Sequence, residues 1–340
     1  MGYRLRYLDS LRGVACLMVM IMHFYEQTDL NSLSIFRYLG IGQVGVVIFF
    51  LISGFVIPFS IKDRPGQVAP FVVSRFFRLY PAFWISLLLA FTSKEFISNE
   101  MVTIKTIFAN ITMAPGLFRQ EMLYPVYWTL LVELFFYLLC ILMYIVGVLY
   151  NNKTKFIFSC SCLVISLFSA FARYKLGTPS PVGIISAISL MFFSGLWREW
   201  QLNGDSECKR FSLIYLLCFF VVFPMVAYFS YGDGRTYEGC LYYIVNYFVG
   251  IILFVLFTSK VKLGNNYLYW LGMVSYSAYL MHPFVLDLFV KYIGINGPFS
   301  LYKFLCYIFV SLVLAYISYK IVEKPSHVFG SKVRDRIMQK

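Results

Sequence analysis

The sequence predicts an all-α protein, a polytopic membrane helix bundle with about ten transmembrane helices. Its 340 residues are 60% hydrophobic and 20% aromatic, and only 13% are charged. The mean hydropathy is +0.74. Apolar runs of about 20 residues recur along the chain, which is the length that a helix needs to cross the hydrocarbon core of a bilayer. A soluble domain could not bury this much apolar surface, so we treat residues 1–340 as a single transmembrane domain.

Ten spans can be placed on these apolar runs. They are residues 8–26, 39–60, 79–92, 126–150, 156–174, 182–200, 211–231, 241–258, 268–290 and 301–322. The third is short because a charged segment precedes it. The first follows basic residues, as a signal peptide does, but no small-residue cleavage site comes after it, so we expect a retained first helix.

The basic residues predict the orientation of the bundle. Most of the 29 Lys and Arg residues, including Arg4 at the start and Lys340 at the end, fall in the loops that share a side with the N-terminus. Cytoplasmic loops of membrane proteins carry such an excess. We therefore expect both termini to be cytoplasmic, and we expect the basic tail at 326–340 to be a solvated segment that sets the orientation. The same bias explains the net charge of +13 without a nucleic-acid partner.

The first span carries two polar residues, Arg12 and His23, that are eleven positions apart. At about 100° per residue they share one face of a helix, with a rise between them of about 16 Å. Ionisable side chains inside a membrane span are costly and commonly line a cavity or a substrate path. The simpler alternative is that Arg12 extends to the lipid headgroups and His23 bonds a neighbouring helix.

Two further polar residues fall in the predicted outer half of the membrane. Glu133 lies in the fourth span, below Trp128 at the interface, and His282 lies in the ninth. A carboxylate beside His23 would orient its ring, and an imidazole held in this way can take a proton from a hydroxyl or be acylated itself. The spacing therefore predicts that His23, Glu133 and His282 lie at a similar depth.

The inner surface carries a second cluster. Arg75 and Arg78 lie three residues apart before Pro81, at the membrane level of Arg12. Three guanidinium groups at one interface suit phosphate binding, although contacts with anionic lipid headgroups would use the same residues.

Other features of the sequence predict packing. The second span contains Gly40, Gly42, Gly45 and Gly54, which favour close helix contacts. The eight cysteines form no C-x-x-C pair, and with three histidines in the chain no metal site is expected. The longest outer loop, 93–125, contains an apolar pattern at 104, 107, 108 and 111 that predicts a surface helix roofing the bundle.

Six segments together resemble the acyltransferase-3 family of integral membrane acyltransferases. They are LDSLRGVACLMVMIMHF with its R-x10-H pair, GVVIFFLISGFVI, RFFRLYP, YWTLLVELFFYLL, WLGMVSYSAYLMHPFV and VEKP. They follow one another in the family's order from about residue 7 to residue 325. Each segment is mostly apolar and weak by itself, so the specificity comes from their order.

The resemblance implies an enzyme of the bacterial cytoplasmic membrane. It implies transfer of an acyl group, usually acetyl from acetyl-CoA, to a hydroxyl of an extracytoplasmic polysaccharide or lipid-linked glycan. Arg12, Arg75 and Arg78 would bind the donor, and His23 with Glu133 would carry the chemistry. Trp128 and His282 would contact the substrate. Direct transfer and an acyl-histidine intermediate both remain open.

The alternative function is a transporter or flippase for a lipid-linked glycan. The same polar residues would then line a path across the membrane. Many transporters show inverted repeats with broken helices in matching halves, and this sequence has no such repeat. Turnover of acyl-CoA distinguishes the two functions.

Overall fold

The computed structural model describes residues 5–33, 35, 38–177, 180–232 and 239–339. Within these residues every regular element is a helix, and the only strand-like feature is an isolated bridge between Thr28 and Gly297. Ten helical segments of this part of the chain are long and apolar enough to cross a membrane. The predicted all-α class and number of spans are therefore confirmed. Arg4 and Lys340, which were assigned to the inner side, lie outside the described residues.

Twelve α-helices follow one another in the described chain. They are α1 (Arg6–Tyr25), α2 (Ile41–Val56), α3 (Val68–Thr92), α4 (Ile104–Ile111), α5 (Trp128–Ile145), α6 (Asn152–Leu176), α7 (Val182–Asn203), α8 (Ser206–Tyr231), α9 (Gly239–Ser259), α10 (Asn266–Leu288), α11 (Leu301–Ser318) and α12 (Lys324–Gln339). The ten candidate spans contain α1 to α3 and α5 to α11, and α12 continues from α11 through a π-helical turn. Eight of the spans agree with the predicted ones to within about five residues, and the tenth segment continues beyond residue 322 to Gln339 because it includes α12.

The third span is longer than predicted, because α3 begins at Val68 and not near residue 79. Arg75 and Arg78 lower the hydropathy of this segment, which is why the sequence pattern placed them before the helix. In the structure neither side chain is fully exposed. The Arg75 guanidinium lies 5.5 Å from the centre of the Tyr137 ring, where it makes a cation–π contact. Contacts of this kind let the helix continue through its charged segment.

The predicted surface helix exists as α4. Thr103 caps it, since its hydroxyl accepts a backbone hydrogen bond from the first turn. Ile107 and Ile111 face α3 and line an apolar groove with Trp84, whereas Phe108 is 66% exposed. Two of the four predicted apolar positions therefore pack against α3, whereas Ile104 and Phe108 are exposed, and the role of the helix as a roof over the bundle stays a prediction.

Small residues bring α2 close to its neighbours, as the sequence predicted. A Cβ atom added to Gly45 would lie 2.5 Å from the carbonyl oxygen of Ala15 on α1. A Cβ atom on Gly54 would lie 1.9 Å from the carbonyl oxygen of Met191 on α7. Real side chains cannot occupy these positions, so the glycines allow α2 to pack tightly between α1 and α7.

The first and ninth spans, α1 and α10, run side by side in the same direction. Gly13 lies against Gly272 near their N-terminal ends, and the rings of His23 and His282 meet near their C-terminal ends. Successive spans cross the membrane in alternating directions, so two odd-numbered spans must run parallel to each other. This pairing brings together two segments that are more than 250 residues apart in the sequence.

The basic tail differs from the solvated segment that we expected. Residues 324–339 form α12, which packs along α3 with Gly330 against Phe77. The rings of Phe329 and Phe77 are 5.2 Å apart, so aromatic contacts fix this helix to the bundle. Leu5 and Val328 line the same cavity, which places the start of α1 and the start of α12 at one end of the molecule.

Candidate active site

A cavity of about 550 Å³, here called the basic cavity, lies at the end of the bundle where α1 and α12 begin. Its charged lining comes from five different helices or their ends. The charged and titratable residues are Arg12, Arg78, Arg198, Lys324, Asp9, Glu323 and His327. The permanent cations outnumber the carboxylates, so the cavity attracts anionic groups.

Arg12 is held at the wall of the basic cavity by Asp9. Arg12 Nη1 donates to Asp9 Oδ1 over 3.2 Å, and the two residues are one helical turn apart on α1. Both side chains are mostly buried, with relative exposures of 19% and 10%. Because solvent screens this ion pair only weakly, it restrains the direction in which the guanidinium points.

Arg198, on α7, reaches the same cavity from the opposite side. Its Nη1 donates to the carbonyl oxygen of Phe55 over 2.9 Å, and its guanidinium lies 4.3 Å from the centre of the Phe59 ring. The Phe55 carbonyl belongs to the last turn of α2, where backbone oxygens have no partner within the helix. Arg198 therefore both caps α2 and contributes positive charge to the cavity.

A second and narrower cavity, of about 80 Å³, continues from the basic cavity toward the middle of the bundle. The two cavities share Arg12, Arg78, Ser275 and Tyr276. We call the second one the narrow cavity. The shared residues form a junction of the two cavities, and two arginines, Arg12 and Arg78, belong to it.

Glu133 lines the narrow cavity and not the surroundings of His23. Its carboxylate accepts a short hydrogen bond from the hydroxyl of Tyr137, one turn further along α5. Glu133 shares the cavity with Tyr276, whereas His282 lies six residues, about 9 Å, further along α10. The predicted common depth therefore holds for the two imidazoles but not for Glu133. The offset between α5 and α10, which the sequence does not encode locally, causes this difference.

Tyr279 lies between the narrow cavity and the two imidazoles. Its hydroxyl is hydrogen-bonded to the Thr129 hydroxyl at 3.0 Å and to the Val126 carbonyl oxygen at 3.1 Å. Its ring packs edge-on against Phe49 at 5.6 Å and lies 5.8 Å from the ring of His282. A substrate arm that extends through the narrow cavity would therefore meet Tyr279 next.

His23 and His282 form what we call the imidazole pair. Their ring centres are 5.2 Å apart and their planes are nearly perpendicular, at 79°. His282 is fully buried, and its Nδ1 atom lies 3.2 Å from the carbonyl oxygen of Ala278. His23 is only partly buried. The predicted face of α1 that carries Arg12 and His23 is thus the face that packs on α10.

The family profile described as an acyltransferase domain matches residues 5–320, nearly the whole chain. The chain belongs to the acyltransferase-3 family. The resemblance that the six sequence segments indicated is therefore confirmed.

Two curated relatives of this acyltransferase-3 chain are named as O-acetyltransferases. O-acetyltransferase OatA of Staphylococcus aureus strain NCTC 8325 is 28% identical over 362 residues, covering 96% of this chain and 57% of that protein. The O-acetyl transferase of Shigella phage Sf6 is 26% identical over 261 residues, covering 70% of this chain and 74% of that protein. The chain thus spans little more than half the length of OatA. No solved structure gave a significant match.

The structure brings only some of the predicted acyltransferase residues to the cavities. Arg12 and Arg78 line both cavities, but Arg75 is not among the described residues that line either one. The Trp128 ring packs edge-on against Phe50, a residue of the narrow cavity, at 5.6 Å. Trp128 therefore supports the wall of this cavity from behind.

Sequence reasoning missed five charged or titratable residues of the basic cavity: Asp9, Arg198, Glu323, Lys324 and His327. Lys324 belongs to the VEKP segment, and Asp9 to the opening segment, so both were quoted without a role. Arg198 was visible only as one more basic residue on the inner side. The one signal that could have identified Arg198 as a cavity residue is its position at the same predicted membrane level as Arg12 and Arg78.

Proposed function

We propose that this acyltransferase-3 chain transfers an acetyl group from acetyl-CoA to a hydroxyl of an extracytoplasmic polysaccharide or lipid-linked glycan. The observation that carries the proposal is the path that begins in the basic cavity, narrows between Arg12 and Arg78, and points toward the imidazole pair. The names of the two relatives support the O-acetyl chemistry.

The basic cavity suits the nucleotide end of the donor. CoA carries a diphosphate and a ribose phosphate, and guanidinium groups bind such oxygens through paired hydrogen bonds. Arg12 and Arg78 lie at the junction of the cavities and would hold the diphosphate. Arg198 and Lys324 would neutralise the remaining phosphate charge. In this assignment the donor binds at the end of the bundle where the described chain begins, which we propose faces the bacterial cytoplasm.

The narrow cavity suits the slender pantetheine arm of the donor. Its walls combine aromatic rings with the carboxylate of Glu133 and the hydroxyls of Thr129 and Tyr279. The amide groups of the arm can hydrogen-bond to such residues. Glu133 would thus contact the part of the pantetheine arm that follows the diphosphate, close to Arg78, and would not be a direct partner of His23.

His23 carries the chemistry in this proposal, by one of two routes. In direct transfer, His23 removes the proton of the acceptor hydroxyl, the new C–O bond forms, the C–S bond breaks, and the proton passes to the CoA thiolate. In the two-step route, a nitrogen of neutral His23 attacks the thioester, so that an N–C bond forms and the C–S bond breaks. The acceptor hydroxyl then displaces the acetyl group from His23, and the hydroxyl proton is taken up by the CoA thiolate. Both routes release CoA with a free thiol.

The test is turnover of radiolabelled acetyl-CoA by purified protein in vesicles, with the wild type beside His23→Ala. We expect acetylation of a supplied glycan by the wild type and a loss of more than about 1,000-fold in the variant, as for other essential catalytic groups. Retained binding of CoA by the variant would show that it is folded. Glycan movement across the membrane without any acetyl-CoA turnover would instead support the transporter alternative.

A further inference from the structure

One nitrogen of the imidazole pair is left without a partner. The Nε2 atom of His282 is buried and has no hydrogen-bond partner among the described atoms, and the whole side chain is 0% exposed. A buried polar atom without a partner destabilises the fold, because it has lost its hydrogen bonds to water and gained none in exchange. Native structures contain few such atoms, and those that occur often have a functional reason.

The tautomer of His282 follows from its other nitrogen. Nδ1 lies 3.2 Å from the carbonyl oxygen of Ala278, one turn earlier on α10. A carbonyl oxygen can only accept, so Nδ1 must carry the hydrogen atom. In the neutral ring Nε2 then presents a lone pair, and it is a hydrogen-bond acceptor that lacks a donor.

Two rings contact His282, and only one of them offers that donor. The Tyr279 hydroxyl is already engaged by Thr129 and by the carbonyl oxygen of Val126. The other ring is His23, with its centre 5.2 Å away. Since each ring nitrogen lies about 1.1 Å from its ring centre, the two rings can align with nitrogen atoms about 3.0 Å apart, which is hydrogen-bond distance.

We propose that His282 is a positioning residue for His23. During catalysis, the Nε2 atom of His282 accepts a hydrogen bond from an N–H group of the His23 ring. This bond requires only a rotation of the His23 ring within its present contact. It fixes which nitrogen of His23 carries hydrogen and directs the other nitrogen, with its lone pair, toward the substrate. The proposal rests on the proposed function insofar as His23 is the reacting imidazole.

The bond has the same effect in both transfer routes. When His23 takes the proton of the hydroxyl, or when it attacks the thioester, its ring becomes positively charged. At that moment the N–H group of His23, which donates to the neutral His282 ring, becomes more acidic. Its hydrogen bond to His282 therefore becomes stronger. His282 keeps its own hydrogen on Nδ1 throughout, and no proton passes from His23 to His282. His282 thus takes the place that a carboxylate holds in many catalytic triads.

Two substitutions of His282 separate this role from simple packing. In His282→Gln the side-chain carbonyl oxygen can accept a hydrogen bond at nearly the same place as Nε2, whereas His282→Leu fills the space without an acceptor. We expect His282→Gln to retain kcat within about tenfold of the wild type, and His282→Leu to lose about 100-fold, as supporting residues of reactive groups commonly do. KM for acetyl-CoA should stay unchanged in both.

A spectroscopic measurement tests the same bond without turnover. The chain has 3 His, so protein labelled with 15N-histidine gives three rings, and His327→Gln identifies one of them. We expect one tautomer of His23 in the wild type and in His282→Gln, and a mixture of tautomers in His282→Leu.

Equal activity of the Gln and Leu variants, together with an unchanged His23 tautomer, would overturn the proposal. A loss confined to KM would overturn it as well, because the residue would then act in binding. If the wild type showed no acetyl-CoA turnover, the proposed function would fail, yet the tautomer comparison would still decide whether the two rings are bonded.

Discussion

Arg198 is an arginine of the basic cavity that no sequence motif marks. It contributes a guanidinium that is partly fixed by the Phe55 carbonyl oxygen and the Phe59 ring. Fixed donors lose little entropy when they bind a phosphate. We therefore assign Arg198 a share of donor affinity that is comparable with the share of the motif arginines.

Replacing Arg198 should affect binding of the donor more than the chemical step. For Arg198→Ala we expect KM for acetyl-CoA to rise about tenfold, equivalent to about 1.4 kcal/mol, with kcat changed by less than about threefold. Initial rates over a range of acetyl-CoA concentrations measure both constants. Lys175→Ala removes an exposed cation at the end of α6 and serves as the matched control. A fall in kcat at unchanged KM would contradict the assignment.

Individual residues differ in how much of their role the sequence can predict. Arg12 and His23 share one helix, so their common face follows from helical geometry alone. The meeting of His23 and His282 depends on α1 lying beside α10, which only the tertiary fold provides. Glu133 was placed at the wrong level because depth was counted within each span separately. The offset between two helices is set by the glycines and aromatic rings at their contact, not by either local sequence.

The contact between α1 and α10 is the element on which the site depends, since it aligns Arg12 with the junction and His23 with His282. Gly272 sits at its tightest point, where an added Cβ atom would lie 1.9 Å from the Asp9 carbonyl oxygen. That oxygen belongs to backbone and cannot rotate away. A side chain at this position would force the two helices apart and move Asp9, the partner of Arg12.

Gly272→Ala should therefore lower both stability and activity. We expect a loss of about 1–3 kcal/mol, typical of overpacking, together with a fall in transfer rate of at least tenfold. Thermal unfolding in detergent and acetyl transfer at a permissive temperature measure the two effects. Gly183→Ala in α7 is the control, because its Cβ atom would meet nothing within 4 Å. Equal behaviour of the two variants would show that the α1–α10 contact can widen without consequence.

The start of α8 offers a prediction at a single helix end. Asp205 caps this helix, with its Oδ1 atom accepting a hydrogen bond from the Cys208 backbone over 2.9 Å. That bond lowers the pKa of Asp205 below its ordinary value of 3.8. The carboxylate therefore stabilises the fold above pH 3.8, and this contribution is lost as the pH falls through the lowered pKa.

Asp205→Ala should cost about 1 kcal/mol at neutral pH, as the loss of a helix cap usually does. The difference in stability from the wild type should shrink when both are measured near pH 3. Asp205→Asn is the matched control, since its side-chain oxygen can still cap the helix but does not titrate. We expect Asp205→Asn to differ little from the wild type at neutral pH. A deficit of Asp205→Ala that does not change with pH would contradict this role of the carboxylate.

Helices that depend on local composition could be predicted from the sequence. Helices that depend on contacts with other helices could not. The number of spans follows from the apolar runs, and α4 follows from its helical pattern. The first eleven residues of α3 were missed because Arg75 and Arg78 make that segment polar. These charges are acceptable in a span only because aromatic rings and other helices cover them. Likewise, α12 looks like a solvated tail until Gly330 and Phe329 are seen against α3.

The whole molecule is polarised along the bundle. The basic cavity and both described chain ends lie at one end, while the imidazole pair lies near the C-terminal ends of α1 and α10, toward the other. A donor and an acceptor can therefore approach from opposite sides of the membrane. The distribution of Lys and Arg predicts that the basic end faces the cytoplasm, where acyl-CoA would be available as the proposed donor.

This orientation can be measured with two single cysteines at exposed positions. Asp63, between α2 and α3, lies at the basic end, and Glu121, between α4 and α5, lies at the opposite end. In intact bacterial cells we expect a membrane-impermeant maleimide to label Glu121→Cys and not Asp63→Cys. Permeabilised cells should allow labelling of both, which controls for folding and exposure.

The wild-type chain provides the background for this experiment, because its eight cysteines are all buried or partly buried. Labelling of Asp63→Cys in intact cells would place the basic cavity outside the cell, where acetyl-CoA is absent. The proposed transfer from a cytoplasmic donor would then fail even if every residue of the site were correctly assigned. Labelling of Glu121→Cys alone would show that the basic cavity faces the cytoplasm and that the opposite end of the bundle, toward which the imidazole pair lies, faces outward. This is the orientation that the distribution of Lys and Arg predicts.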